Sequence, residues 1–183
     1  NICEKYSLLL IEDAAQAICS TYCGQPLGTF GDFGCLSFHE TKNIISGEGG
    51  ALLVNNEKFI SRAEIMRQKG TNRSDFARGL VSKYSWVDLG SSFLPGELVA
   101  AFLYAQLLHA KEITNTRLQI WSDYYEKLSI LADQGFVKLP EIPSTCTHNA
   151  HMFYLILSQP EMRPKLIDYL GDIKAVFHYI PLH

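Results

Sequence analysis

Gly34-Cys35-Leu36-Ser37-Phe38-His39-Glu40-Thr41-Lys42-Asn43, followed after two residues by Ser46-Gly47-Glu48-Gly49-Gly50-Ala51, is the stretch on which the reading of the chain turns. A short apolar run, Cys35 to Phe38, gives way to polar residues and a single lysine, then to a glycine-rich turn that leads into another apolar run. The pattern predicts a short buried strand leaving an open α/β sheet at its carboxyl edge, where ligands of such sheets gather. A lysine held there beside apolar walls loses part of its solvation, which favours the neutral amine and makes it a nucleophile toward carbonyls. A solvated surface lysine is the ordinary alternative, so a second feature must decide.

That feature lies upstream. Ser7-Leu8-Leu9-Leu10-Ile11 is a continuous apolar run of strand length, closed by Glu12-Asp13, and it predicts a fully buried parallel strand. Asp13 then stands at a strand's carboxyl end, ahead of a short helical or turn segment, Ala14-Ala15-Gln16-Ala17. Its carboxylate either caps the amides behind it or keeps a ligand's ring nitrogen protonated. Gly24, Pro26, Gly28, Gly31 and Gly34 mark an irregular loop with tight turns.

Downstream, Ala51 to Val54 reads as a strand and Glu57 to Lys69 as an amphipathic helix ended by Gly70. Thr71 to Lys83 is polar and aperiodic; Arg73 and Arg78 in it are suited to an anion, or the loop is simply solvated. Pro95-Gly96-Glu97 opens a long helix or broken helix, with Leu98, Ala101, Phe102, Ala105, Leu108 and Ile113 at helical spacing. The apolar stripe runs on to Leu131, and Gln134-Gly135 ends it. Beyond lie a strand at 150–157, a helix at 160–170 with Met162, Leu166, Ile167 and Leu170 inward, and a strand at 173–179. This β-α-β piece reads as the start of a smaller α+β domain. Domains are therefore expected at 1–133 and 134–183.

The 183 residues are 47% hydrophobic and 19% charged with net charge −3, an ordinary globular balance with no basic excess for nucleic acid. No apolar run is long enough to span a bilayer, and the first residues show no signal-peptide pattern. Five cysteines at 3, 19, 23, 35 and 146 form no zinc-ligand spacing, so no metal is expected. Reduced thiols in the cytoplasm are the expectation. A start on Asn1-Ile2-Cys3 and an end in the apolar Tyr179-Ile180-Pro181-Leu182-His183 read as those of a fragment.

Glu12-Asp13-Ala14-Ala15-Gln16, Phe38-His39-Glu40-Thr41-Lys42-Asn43, Lys69-Gly70-Thr71-Asn72-Arg73 and Ala175-Val176-Phe177-His178-Tyr179-Ile180-Pro181-Leu182-His183 together resemble the DegT/StrS-type sugar-nucleotide aminotransferases, over essentially the whole chain. Within that family they resemble the branch that aminates a dTDP-4-keto-6-deoxyhexose. The resemblance implies an aspartate-aminotransferase-like α/β fold (fold type I), here half of its large domain and part of the small one. It implies pyridoxal 5′-phosphate as cofactor, a nucleotide sugar and an amino-acid donor as substrates, and a homodimer with shared sites.

By the same resemblance Lys42 would form the imine with the cofactor and then shuttle a proton. Asp13 would pair with the pyridinium nitrogen, Gln16 would contact the ring or its 3-hydroxyl, and Ser37 would donate to the phosphate. His39, Arg73, Tyr179 and His183 would line the substrate. An asparagine that reaches the phosphate across the family's dimer falls near Leu94 here; leucine cannot make that bond, and Ser91 or Ser92 would substitute. The family's amino-terminal phosphate-binding turn and ring-stacking aromatic have no counterpart in these residues. A transaminase for another nucleotide keto-sugar, and a non-catalytic sugar-nucleotide binding or regulatory protein on the same scaffold, are the competing expectations.

Overall fold

A computed structural model of the chain describes residues 2–172. The strand expected around Cys35 forms as Phe33–Ser37 and sits in the middle of a three-stranded sheet. On one side it runs parallel to Ile11–Asp13, and on the other antiparallel to Gly50–Val54. In chain order the elements are α1 (Ile2–Tyr6), β1 (Ile11–Asp13), β2 (Thr21–Tyr22), β3 (Gln25–Pro26), β4 (Phe33–Ser37), β5 (Gly50–Val54), α2 (Ile60–Arg67), α3 (Arg73–Ala77), α4 (Glu97–Leu108), α5 (Ala110–Asp133), β6 (Val137–Lys138), β7 (Cys146–Thr147), β8 (Ile156–Leu157) and α6 (Arg163–Asp172). The expected α/β class is the observed one.

The loop between β1 and β4 has a definite construction. Cys23 and Gly24 both take positive φ, 49° and 79°, the mirror-image turn that suits the right-handed twist of a two-residue hairpin. They close a β2–β3 pair whose other neighbour is β7, where an irregular loop was expected. Gly34, buried in β4, leaves no room for a side chain: a Cβ there would lie 2.1 Å from the Gly28 carbonyl.

The Ser7–Ile11 run is not a buried strand. Strand pairing covers only Ile11–Asp13, and Leu8, Leu9 and Ile11 are 56%, 55% and 64% exposed. An unbroken apolar run is buried when sheet or helices cover both faces, and among the described residues β1 has one strand neighbour, β4. The same holds for α4, whose apolar stripe includes Leu98 and Phe102, both exposed.

The helix expected over Glu57 to Lys69 opens with a 3-10 turn at Glu57–Phe59, where the Asn56 side chain accepts from the Lys58 amide, and α2 ends at Arg67. Lys69 and Gly70 then reverse the chain with φ of 63° and 73°. The polar stretch after them holds the one-and-a-half turns of α3. The long helical stretch is broken at His109 into α4 and α5. At the end of α5 the Phe136 amide donates to the Leu131 carbonyl and the Gly135 amide to that of Ala132, both at 2.9 Å, with Gly135 at φ 77°. This glycine-terminated pattern satisfies carbonyls the helix leaves open.

Two compact units emerge, Asn1–Leu118 with Ile142–His151, and Gln119–Glu141 with Met152–His183. The first holds the three-stranded sheet and the β3-β2-β7 sheet. In the second, Trp121 stacks on Tyr125 and meets Phe153 edge-on at 5.3 Å, while β6 pairs antiparallel with β8. The strand expected over 150–157 shrinks to Ile156–Leu157, because Ala150 sits at φ 52°, outside the extended region. In the following helix Leu166, Ile167 and Leu170 are half-buried, whereas Met162 is exposed. The strand expected at 173–179 lies outside the described residues.

Candidate active site

Parallel pairing decides which ends share an edge. Register sets Asp13 opposite Cys35, so the carboxyl ends of β1 and β4 face the same way, with Ser37 the last residue of β4. Asp13 closes β1, and its Oδ1 accepts from the Ala15 amide at 3.1 Å. The capping reading is therefore what one oxygen does; Oδ2 has no hydrogen-bond partner among the described residues. The Ser37 hydroxyl accepts from the His39 amide at 3.3 Å and keeps its proton to give elsewhere.

Lys42 lies on a closed loop between β4 and β5. The Ser46 amide donates to the Phe38 carbonyl (2.7 Å), that of Phe38 to Gly49 (2.8 Å), and that of Glu40 to Gly47 (2.8 Å). The buried Ser46 hydroxyl donates to the Glu48 carbonyl at 2.8 Å. Phe38 is 4% exposed and Ile44 fully buried, so the loop is anchored by side chains on either side of a half-buried Lys42. The Lys42 amide donates to the His39 carbonyl at 2.9 Å. His39 Nδ1 accepts from the Thr41 amide at 3.2 Å, which leaves Nε2 as the protonated nitrogen of a neutral ring, 3.6 Å from the Glu48 carboxylate.

Two further side chains join this loop to the segment after β1. Asn43, next to Lys42 and 6% exposed, donates from Nδ2 to the Asn149 carbonyl at 2.7 Å. Asn149, 4% exposed, donates from Nδ2 to the carbonyls of Gln16 and Ile18, each at 2.8 Å. Burial, then the Lys42 ammonium and the Arg117 guanidinium, hold the His151 imidazole below its ordinary pKa; burial does the same to His148. These contacts tie the Gln16 and Ile18 carbonyls to Asn43, the residue after Lys42, and β1–β4 pairing sets Asp13 and Ser37 at the carboxyl edge of the same sheet.

The remaining expected residues stand apart. Arg73 is exposed at the start of α3, and no hydrogen bond or ion pair among the described residues links α3 to the Lys42 loop. Arg78 does not stand ready for an anion: it grips the Glu64 carboxylate with both terminal nitrogens, at 3.0 and 2.6 Å. Ser91 and Ser92 are tied to the end of α2, the Ser91 amide donating to the Met66 carbonyl at 3.0 Å and Ser92 bridging Gln68. Tyr179 and His183 lie outside the described residues.

Glu12 reads in the sequence only as closing the apolar run beside Asp13, and the structure gives it a further part. Its carboxylate accepts from the amides of Gly28 (2.9 Å), Phe30 (2.6 Å) and Gly31 (2.7 Å), which holds the 28–31 loop against the end of β1. Asn43 stands in the quoted motif without a role of its own, and Asn149 and His151 stand in none.

Residues 1–183, the whole chain, match the DegT/DnrJ/EryC1/StrS aminotransferase family. The chain belongs to this family. Among its relatives is a GDP-perosamine synthase from Vibrio cholerae, 32% identical over all of this chain and 48% of the relative. Another is a dTDP-4-dehydro-2,3,6-trideoxy-D-glucose 4-aminotransferase from Saccharopolyspora spinosa, 29% identical over all of this chain and 49% of the relative. The aminotransferase TlmJ from Streptoalloteichus hindustanus shares the fold, with a TM-score of 0.84 at 24% identity over all of this chain and 48% of that one. The chain thus spans about half the length of the curated relatives it matches.

As a member of the DegT/DnrJ/EryC1/StrS family the chain can be tested for fit to the family's cofactor, pyridoxal phosphate. The donor set fits. A carboxylate with one oxygen unpartnered among the described residues and a hydroxyl with a proton to give stand at the ends of two strands that share a sheet edge, and the half-buried Lys42 follows on the loop that leaves that edge. Among the described residues no helix is long and apolar enough to cross a membrane, and no group of three or more His, Cys, Asp or Glu could hold a metal ion.

Proposed function

We propose that the protein is a pyridoxal-phosphate-dependent sugar-nucleotide aminotransferase, and that it carries an amino group from glutamate to the 4-keto carbon of a dTDP-4-keto-6-deoxyhexose. The product would be dTDP-4-amino-4,6-dideoxygalactose, a precursor for cell-surface polysaccharide such as lipopolysaccharide or enterobacterial common antigen. The reading includes a cytoplasmic homodimer with shared sites, a cofactor-binding domain through residue 133 and a smaller domain from 134.

What carries it is the convergence of Asp13 and the Lys42 loop through the β1–β4 register and the Asn43–Asn149 bridge. Its sugar specificity is supported by the branch-like motifs and by the Saccharopolyspora relative, whose name states amination at C4 of a dTDP-linked keto-sugar.

When bound, pyridoxal phosphate would supply an electron sink for negative charge developing on the amine-bearing carbon. Lys42 would hold the cofactor through its amine, and the same amine would serve as the proton carrier at the substrate carbon. Asp13 would offer its second oxygen to the ring nitrogen, whose positive charge an adjacent carboxylate favours. Gln16 would contact the ring, and Ser37 would give its hydroxyl proton to the phosphate. By the family resemblance His39, Arg73, Tyr179 and His183 would contact the substrate, the last two from outside the described residues.

The test is product analysis with glutamate and a panel of dTDP-, GDP- and UDP-linked keto-sugars. Amination of the dTDP-4-keto-6-deoxyhexose in preference to the others is expected. Preference for another sugar overturns the substrate assignment, and no amination of any overturns the enzyme reading.

A further inference from the structure

We propose that Asn149-Ala150-His151 is a positioning clamp for the candidate active site, which acts through Asn43 to fix Lys42 relative to Asp13 and Gln16. The inference rests on the function proposed above for Lys42, and no family motif quoted for the site contains these residues.

Three observations carry it. Asn43 Nδ2 donates to the Asn149 carbonyl, so its other side-chain atom is the acceptor oxygen, and His151 Nδ1, 2.9 Å from it, must be the donor. Asn149 uses its whole amide as well: Nδ2 reaches the carbonyls of Gln16 and Ile18, while Oδ1 accepts from the His151 amide at 3.0 Å. Two buried amides therefore join the segment behind Asp13 to the residue beside Lys42.

The clamp is itself held. Arg117, on α5, donates from Nε to the Ala150 carbonyl at 3.3 Å and from a terminal nitrogen to that of His151 at 3.0 Å. Ala150 between them adopts φ 52°, a left-handed conformation that disfavours a residue with a Cβ. A strained backbone persists only where its surroundings over-determine it, and here those are the hydrogen bonds of Arg117, Asn149 and Asn43. The depressed pKa of His151 keeps its ring neutral at neutral pH, which spares Lys42 a second cation alongside.

The chemistry predicts a hierarchy among substitutions. His151→Leu removes the donor to Asn43, whereas His151→Asn keeps an N–H near the position of Nδ1. Two readouts apply. In cofactor-free protein, acetic anhydride labelling of Lys42 is compared with that of exposed Lys58 by peptide mass mapping. In protein loaded with pyridoxal phosphate, the visible circular dichroism of the cofactor reports its orientation.

His151→Leu is expected to raise relative Lys42 labelling at least about fivefold and to lose most of the visible ellipticity, with His151→Asn close to wild type in both. Equal labelling and ellipticity in wild type and His151→Leu would overturn the clamp. So would equal impairment of His151→Leu and His151→Asn in step with their melting temperatures, since that is a merely structural loss. If His151→Leu does not yield folded protein, Asn43→Ala takes its place with the same expected and contrary results. Failure of wild-type protein to take up cofactor on Lys42 would instead count against the proposed function, because the labelling arm needs no cofactor.

Discussion

His151 Nδ1 lies 2.9 Å from the side-chain oxygen of Asn43, the residue directly after Lys42, although 108 positions separate the pair in sequence. A contact of that range makes the Lys42 loop part of the tertiary structure rather than a free surface excursion.

A first consequence concerns pH. His148 and His151 titrate below their ordinary 6.5 in the folded chain, so between 6.5 and the folded values the unfolded chain binds more protons. Stability then rises with pH through that window and is lost as pH falls through it. Urea midpoints measured from pH 8 to pH 5 are expected to drop with acid, and to drop less in His151→Gln. An unchanged acid slope in that variant would remove His151 as a contributor.

Glu12 offers a test of the loop behind β1. Its carboxylate satisfies three backbone amides, and a hydrogen bond to a charged group contributes about 1.5–3 kcal/mol. Glu12→Ala is expected to destabilise the protein by about 3 kcal/mol in urea titration, because it also leaves amides unpartnered. Glu12→Gln should lose about half as much, since one oxygen can still accept while its amide meets another N–H.

Two glycines with nearly the same φ should respond differently to alanine. At Gly70 a Cβ would come 1.9 Å from the Asp88 carbonyl oxygen, whereas at Gly135 nothing lies within 4 Å. Gly135→Ala meets only the left-handed backbone penalty, about 1 kcal/mol, while Gly70→Ala adds a clash with rigid backbone and should lose about 3 kcal/mol. Thermal melts of both variants measure the difference; equal losses would contradict it.

Local pattern was legible where local pattern decides the structure. The strand before Lys42, the glycine turn into β5, the broken long helix and its stop at Gly135 follow from apolar runs and from residues suited to positive φ. The hydrophobic run at 7–11 misled because burial depends on neighbours, and β1 has one strand neighbour among the described residues of a chain half as long as its relatives. Of the site, Asp13 and Lys42 could be picked out because a carboxylate and a lysine at strand ends suggest chemistry. Asn149 and His151 could not: their role arises from hydrogen bonds to Asn43, Gln16 and Ile18 across more than 100 residues, which no window of sequence displays.

The central claim is that Lys42 holds the cofactor, and the direct measurement is reduction of the protein with borohydride in the presence of pyridoxal phosphate, followed by peptide mass mapping. The account predicts one phosphopyridoxyl group per chain, on the peptide containing Lys42, and none in Lys42→Ala. Label on another lysine, or undiminished label in Lys42→Ala, would contradict it.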